Sequence, residues 1–557
     1  MSSVTSSDSF WARAFSYLFL DNDGRIWSSL GTLLLSYAFI SHILTVYRWE
    51  YTNRFQKTHG DEGALPARYP SLVPYFGHAL SLAWDSAAFL RRATSYDGRL
   101  TASRISLLGF EIYFFQDRST VAKLWSQTTT LSRSDSVYMH AKRYLLGTIE
   151  NYYSLRDRDD LQSLEGNELA SATRRYVEVL KTKLEQKPFS GDWTHVNDLA
   201  DFFEDVVGLS LSDSLHGSTM PQLHSEVVER VLGDEKGVGL SSRSIMSRIK
   251  PLAPWPHQII LNLLRRWHAC AKRDSESSST ELGIAEYPQE KSLSTNGQYY
   301  DELERNGLGT LQRATGNTAP CAMLAALHIF RDPALLQRVR DEVDGFLAGK
   351  PLAEADPTQL AELPLLSSIY AETLRLHVKT SFAITSSNDG NDLHLGRWLL
   401  PRGHVGFVNA GISHLDESFW NSHGGEYPAS TFWADRFLVN PSDEQSGPVA
   451  PHARDSEVLT MYADEETTKR SSSGFVFSLQ GTEGSWFPYG GGSGICPGRF
   501  LDKNIMASTC AQLVKRYDIE LLTDKVDMST GRFGVGIEGP KKALPFRVRK
   551  RSPESQV

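Results

Sequence analysis

Cys496 is the residue whose setting says most about chemistry. It lies in WFPYGGGSGICPGRF, where Gly490, Gly491, Gly492 and Gly494 precede the cysteine and Pro497-Gly498 follow it. Glycines let a backbone approach a flat ligand and turn N–H groups toward a sulfur. Pro497 suits the first turn of a helix, whose positive end stabilises a thiolate. No second Cys or His stands in the loop, so a lone thiolate is what it offers. That donor suits an iron whose equatorial positions belong to a porphyrin, where the thiolate supplies electron density that favours O–O cleavage. The loop is also compatible with a glycine-rich turn that buries a small cysteine. Cys270, Cys321 and Cys510 are far apart and lack CxxC spacing, which excludes a disulfide framework and a structural zinc site. They read as small apolar core residues.

Three further groups bear on chemistry. Glu372 and Arg375 in LLSSIYAETLRLH lie one helical turn apart on one face, so they can pair and still reach a third partner; a solvated surface pair would have the same spacing. Thr318 sits in GTLQRATGNTAPCAMLAALHIFRDP, a long helical pattern. Gly316 lets that helix open, and Pro320 removes an N–H and clashes with the preceding turn, so a distortion is expected beside Thr318. A mid-helix Thr otherwise tends to bond the carbonyl four residues back. His140 and Arg143 in SVYMHAKRYLLG form an i,i+3 basic pair, which an exposed helix face explains as well as an anion site does.

The cysteine loop resembles the haem-binding signature of cytochromes P450, with an aromatic residue, Tyr489, seven before the cysteine, then Gly490, Gly492 four before it and Gly498 two after it. Most members carry a basic residue where this chain has Gly494, and Phe where it has Tyr489. The run is closer to the branch that holds cholesterol 7α-hydroxylase and prostacyclin synthase, which also lacks that arginine. The resemblance implies heme b with Cys496 as its axial thiolate. It implies a structural network of Glu372, Arg375 and Arg436, the last in TFWADRF, with a structural H-x-D-x-x-x-W turn at His414–Trp420. It places Asn317-Thr318 where members hold an acid–alcohol pair that relays protons to dioxygen; here an amide replaces the acid. His140 and Arg143 become candidates for the propionate contacts that Gly494 cannot make.

The elements that must position these residues belong to a chain of 557 residues with 58 Lys+Arg and 66 Asp+Glu, a net charge of −8. No basic excess exists to neutralise a nucleic-acid backbone, and 40% hydrophobic residues provide a large core. Residues 26–47 carry no Asp, Glu, Lys or Arg and at 1.5 Å per residue would reach about 33 Å, the thickness of a bilayer core. The expected organisation is a lumenal leader over 1–25, a transmembrane helix over 26–47, a proline-spaced linker over 48–80 (Pro66, Pro70, Pro74) and a catalytic body over 81–557. Arg48, Arg54 and Lys57 after the span place that body in the cytosol. Apolar residues at helical spacing dominate from 81 to 271, and segments 275–298 and 441–473 read as surface insertions. Short strands are expected late, over 382–386, 393–400, 404–408, 517–522 and 544–548. The fold class is therefore mainly α with a smaller β region.

The resemblance implies monooxygenation of a lipophilic substrate, a terpenoid, sterol or polyketide, using O2 and NADPH through a separate reductase at the endoplasmic reticulum membrane. The insertions and Ser-rich ends are similar to those of fungal secondary-metabolism members. Three alternatives remain open at this point: a P450-type isomerase or dehydratase working on a peroxide, a desaturase or ring-forming oxidase, and a non-catalytic haem-binding membrane protein.

Overall fold

The computed structural model describes residues 22–55, 63–71, 77–107, 110–126, 166–216, 314–385, 392–440, 442–454, 474–492, 495–534 and 536–551. The first element is a long helix, α1 (Asn22–Phe55). Its C-terminal end is docked: Trp49 is buried against the rings of Tyr69 and Tyr96, and buried Asn53 accepts from Thr101. Among the described residues, no helix is long and apolar enough to cross a membrane. Residues 63–69 of the proline-spaced segment hug the body. Ala64 bonds the backbone of Arg397 and Leu399, and the backbones around Ala67 and Tyr69 exchange bonds with Arg104. At the end of that segment Gly77 takes φ +57, and a Cβ there would run into the carbonyl of Ser106. Only glycine fits that approach.

Two short helices, α2 (Ala79–Trp84) and α3 (Ser86–Ala93), lead into strands β1 (Ser103–Leu107) and β2 (Phe110–Phe114). This hairpin corrects the expectation that strands occur only late in the chain. Its second strand, FEIYF, is apolar at nearly every position because it lies inside a sheet, and an unbroken apolar run does not separate strand from helix. Helix α4 (Arg118–Ser126) follows, then α5 (Gly166–Glu185), β3 (Thr194–Val196), α6 (Leu199–Phe203) and α7 (Leu209–His216).

The centre of the molecule is built from α8 (Ala319–Arg331), α9 (Pro333–Leu347), α10 (Pro364–His377) and α11 (Arg499–Arg516), with α8 packed on the other three and on α6. The α8 sequence, APCAMLAALHIFR, is apolar on every face, as a helix enclosed on all sides must be. Asp332 caps α9, its carboxylate accepting from the Ala334 and Leu335 N–H groups, with Pro333 at the first helical position. Strands β4 (Ser381–Thr385), β5 (Leu393–Leu395), β6 (Trp398–Leu400) and β7 (Val405–Asn409) coincide with the expected late strands. So do β8 (Tyr517–Leu521) and β9 (Phe546–Lys550). One sheet has the order β1-β2-β7-β4, with β2 parallel to β7 and the other neighbours antiparallel; the other, β8-β9-β3, is antiparallel throughout.

A buried ion network fastens α10 to the segment that precedes the cysteine loop. Arg375 clamps both carboxylate oxygens of Glu372, at 2.7 and 2.8 Å, and the Arg436 Nε–H adds bonds of 3.0 and 3.2 Å. The Trp433 N–H also donates to Glu372, at 3.0 Å. All three charged side chains are 0% exposed. Two cations face one anion, and the surplus positive charge is met by carbonyls: Arg375 donates to Ala429 and His414, and Arg436 to Asn421 and Thr431. Burial would raise the Glu372 pKa, but the two guanidiniums outweigh it and hold the carboxyl below its ordinary value.

A network this complete is costly to break at one member. Arg375→Ala is expected to destabilise the protein by about 3–5 kcal/mol, read by denaturant unfolding. Arg375→Lys should recover little, because an ammonium cannot make the two-pronged contact. A loss below about 1 kcal/mol for the alanine variant would show that the network is peripheral to stability.

Candidate active site

The cysteine loop runs from Trp486 into α11. Cys496 N–H donates to the Tyr489 carbonyl at 3.0 Å and Ile495 N–H to the Gly492 carbonyl at 3.2 Å, so the loop closes on itself and presents the cysteine at its end. Cys496 lies just before α11, whose first residue is Arg499; Pro497 and Gly498 form the preceding turn. The proline therefore stands two residues ahead of the first helical position expected for it, and the thiol still lies beside the helix N-terminus, where partial positive charge favours a thiolate. Gly490 has φ +73 and packs under the Phe382 ring, while a Cβ on Gly491 would collide with the Trp125 indole. Glycine here serves close approach of aromatic rings to the backbone.

Helix α10 reaches this loop directly. Tyr370 O–H donates to the Tyr489 hydroxyl at 3.2 Å, and the Trp486 indole N–H donates to the Ala371 carbonyl at 3.2 Å. His414 completes the support. Its carbonyl accepts from Arg375, and its Nε2 accepts from Phe487 N–H at 3.1 Å. Burial holds the His414 pKa well below its usual value, so the ring stays neutral and keeps that lone pair. The ion network and the cysteine loop thus share one residue.

Above the loop, the helix leading into α8 opens as a π-turn over Ala314–Thr318. Pro320 has no N–H for the carbonyl of Gly316 and crowds it, so the ladder widens by a residue beside Thr318. Thr318 does not bond back along its own helix. Its Oγ1–H donates to Asp502 Oδ1 on α11 at 2.6 Å. Asn317, beside it, is half-buried. Asp502 also accepts a hydrogen bond from Tyr489. Burial raises the Asp502 carboxyl, the two donors pull it back, and the balance leaves it pushed up to about 6. Tyr489 and Tyr370 are both raised, chiefly by burial, and stay protonated. Tyr489 and Asp502 are deeply set, yet neither is fully buried.

The structure therefore brings together Cys496, Tyr489, Gly490, Gly492 and Gly498 in one loop, sets Thr318 and Asn317 above it, and joins Glu372, Arg375 and Arg436 beside it. His140, Arg143, Gly494 and Cys270 lie outside the described residues. Cys321 and Cys510 are buried, and Cys510 is pushed up to about 12 by burial, which leaves its thiol inert. No sequence motif singles out Asp502, Trp125 or Tyr370 as site residues. Asp502 carried a signal, a lone acid in the apolar run FLDKNIMA. Trp125 and Tyr370 carried none, since aromatic residues in apolar helices read as core.

These residues fit a haem group. The donor set is a single thiolate on a glycine loop at a helix N-terminus. Moreover, the Trp125 Nε1–H, packed against Gly491, is buried without a hydrogen-bond partner among the described residues. An orphaned donor at that place suits an acidic substituent at a cofactor's rim.

Comparison with known proteins agrees. Residues 301–545 match the family model for cytochrome P450. The chain is 28% identical to cytochrome P450 monooxygenase efuG of Hormonema carpetanum, over 91% of this chain and 94% of that one. It is 26% identical to cytochrome P450 monooxygenase fsoE of Humicola fuscoatra, over 96% and 97%. Cholesterol 7-alpha-monooxygenase of Cricetulus griseus matches at 24% identity over 45% of this chain and 46% of that one. The fold aligns with a crystal structure of a cytochrome P450 (CYP102L1) at a TM-score of 0.59 and 15% identity, covering 88% of this chain and 100% of that chain. With a glycine-cradled cysteine held by the Glu372–Arg375–Arg436 network, and with these relatives on either side of it, the chain belongs to the cytochrome P450 superfamily and is a monooxygenase of that family.

Proposed function

We propose that this enzyme inserts one oxygen atom from O2 into a lipophilic polycyclic substrate, a terpenoid, sterol or polyketide of secondary metabolism, with electrons delivered from NADPH by a separate reductase. The observation that carries the reading is the lone thiol of Cys496 at the N-terminus of α11, in a loop built for close approach. When bound there, haem supplies the oxygen activation and the C–H chemistry. The chain's own residues do the rest. Cys496 holds the iron as a thiolate, and the glycine loop and Trp125 hold the ring. Thr318, with Asn317, handles protons at its hydroxyl. The similarity to cholesterol 7-alpha-monooxygenase and to fungal monooxygenases supports a bulky lipophilic substrate.

A membrane tether belongs to the same proposal, with the body on the cytosolic face of the endoplasmic reticulum. Leu33, Leu34, Leu35, Phe39 and Ile40 of α1 are all more than half exposed, and Leu80 and Trp84 of α2 are exposed as well. Three consecutive exposed leucines put apolar groups on every side of a helix, which suits lipid rather than water. The docked Trp49 end of α1 would then fix the body close to the bilayer, where lipophilic substrates partition.

Four measurements check this. Reduced protein under carbon monoxide should show the red-shifted Soret band of thiolate-ligated haem, and Cys496→Ser should abolish it; well-folded protein without that band refutes the haem assignment. Thr318→Ala should lower product formation on the order of 10²-fold while NADPH is still consumed. Under ¹⁸O2 the wild-type product should gain one labelled atom, whereas unlabelled product formed without NADPH would indicate isomerase chemistry. Finally, the full chain should co-float with phosphatidylcholine vesicles. Leu34→Lys combined with Phe39→Lys should shift it to the soluble fraction, since each lysine replaces an apolar contact with lipid by a charge that stays in water.

A further inference from the structure

In this chain the residue beside the helix threonine is an amide, Asn317, so no acid is available from the neighbouring position. An acid nevertheless touches the hydroxyl. Thr318 Oγ1 is 2.6 Å from Asp502 Oδ1, which arrives from a different helix, α11, one turn beyond the Gly498 that follows the cysteine. We infer that Asp502 sets whether the Thr318 hydroxyl donates or accepts, so that acid and alcohol are split between two helices and Asp502 is the positioning residue for Thr318. This rests on the proposed role of Thr318 as the proton-handling hydroxyl of a monooxygenase.

The physical basis is donor accounting. A threonine hydroxyl has one hydrogen and two lone pairs. While Asp502 is a carboxylate it can only accept, so it takes that hydrogen and leaves Thr318 able only to accept from elsewhere. Once Asp502 is protonated, its own O–H can donate to Thr318 Oγ1, and the threonine hydrogen is released toward another acceptor. If that proton is passed on, the Thr318 O–H bond breaks, the Asp502 proton moves to Thr318 Oγ1, and Asp502 is left as a carboxylate to be reloaded from water.

The surroundings favour such a device. The groups facing Asp502 are Thr318 from the π-turn and Tyr489 from the cysteine loop, the latter backed by Tyr370 of α10. Cys321 of α8 and Cys496 act on those tyrosines. Both phenols stay protonated, so Tyr489 remains a donor that aims the carboxylate. The carboxyl itself, pushed up to about 6, reaches both protonation states near neutrality, and its residual accessible surface gives water a way to it.

The test is infrared difference spectroscopy on the full-length protein in detergent, titrated between about pH 2.5 and 9, a range bracketing the ordinary and raised carboxyl values. A protonated-carboxyl band should titrate with a midpoint near 6 and vanish in Asp502→Asn. In Thr318→Ala the band should persist with its midpoint raised, because the carboxylate has lost a donor; Thr318→Ser should return it to the wild-type position. A purely structural contact would not give that rescue. If Thr318→Ala leaves both frequency and midpoint unmoved, or if no Asp502-dependent band titrates, the inference is overturned. In turnover with reductase, Asp502→Asn and Thr318→Ala should each divert electrons to hydrogen peroxide, and the double variant should be no worse than the poorer single one; additive losses would contradict the coupling. The carbon monoxide spectrum of the wild type is recorded first. Its thiolate band tests the monooxygenase reading, and the infrared titration tests the Asp502–Thr318 bond, so the two can fail separately.

Discussion

One carboxylate shared by two guanidiniums governs the architecture around the site. Glu372 accepts from Arg375, Arg436 and the Trp433 backbone with no exposure to water, and each arginine then spreads its remaining N–H groups over carbonyls of the chain between His414 and Thr431. An isolated ion pair at that depth would not repay its desolvation. A fully satisfied one does something different: it fixes where a long irregular segment lies relative to a helix. Trp420 and Trp433 reinforce this by standing face-on to Arg375 and Arg436, at 5.3 Å each. The cysteine loop inherits the placement, because His414, Tyr370 and Ala371 connect the same scaffold to Phe487, Tyr489 and Trp486.

How much of this could be read from residue order varies with the physics involved. Late strands such as Val405–Asn409 and Phe546–Lys550 are bounded by Gly, Pro and charged turns and were visible. The hairpin at Ser103–Phe114 was not, since its second strand is covered in the sheet interior and shows no alternation. Glu372 and Arg375 were legible as a helical pair, but their spacing alone said nothing about burial; the third partner, sixty-four residues on, supplies the difference. The π-turn beside Thr318 followed from Pro320 and Gly316, both local features.

What could not be read is the partner of Thr318. A hydroxyl's neighbour along the chain is visible in a sequence, whereas a carboxylate delivered by another helix depends on how the two helices cross. Asp502 and Thr318 are 184 residues apart in sequence. Trp125 is hidden for the same reason: its meaning comes from Gly491, which it touches, and from the bond its indole N–H does not make. Sites assembled across elements are the natural limit of reasoning from spacing, because tertiary packing, not periodicity, decides who meets whom.

Asp502 also bears on why such an arrangement would be kept. A carboxyl raised from 3.8 to about 6 in the folded protein binds its proton more tightly there than in the unfolded chain. Folding is therefore favoured at low pH, and stability falls as pH rises from about 3.8 through 6. Above that window the ionised group costs on the order of 3 kcal/mol relative to an unperturbed aspartate. An alanine in its place would escape that cost, though it would leave the Thr318 and Tyr489 hydroxyls without their acceptor. Helix α11 carries the burden next to Thr318 and Tyr489, at a point where two hydroxyls converge on it. Stability sacrificed at one buried acid, with both of its donors aligned, is the pattern expected when the group's proton matters more than its packing.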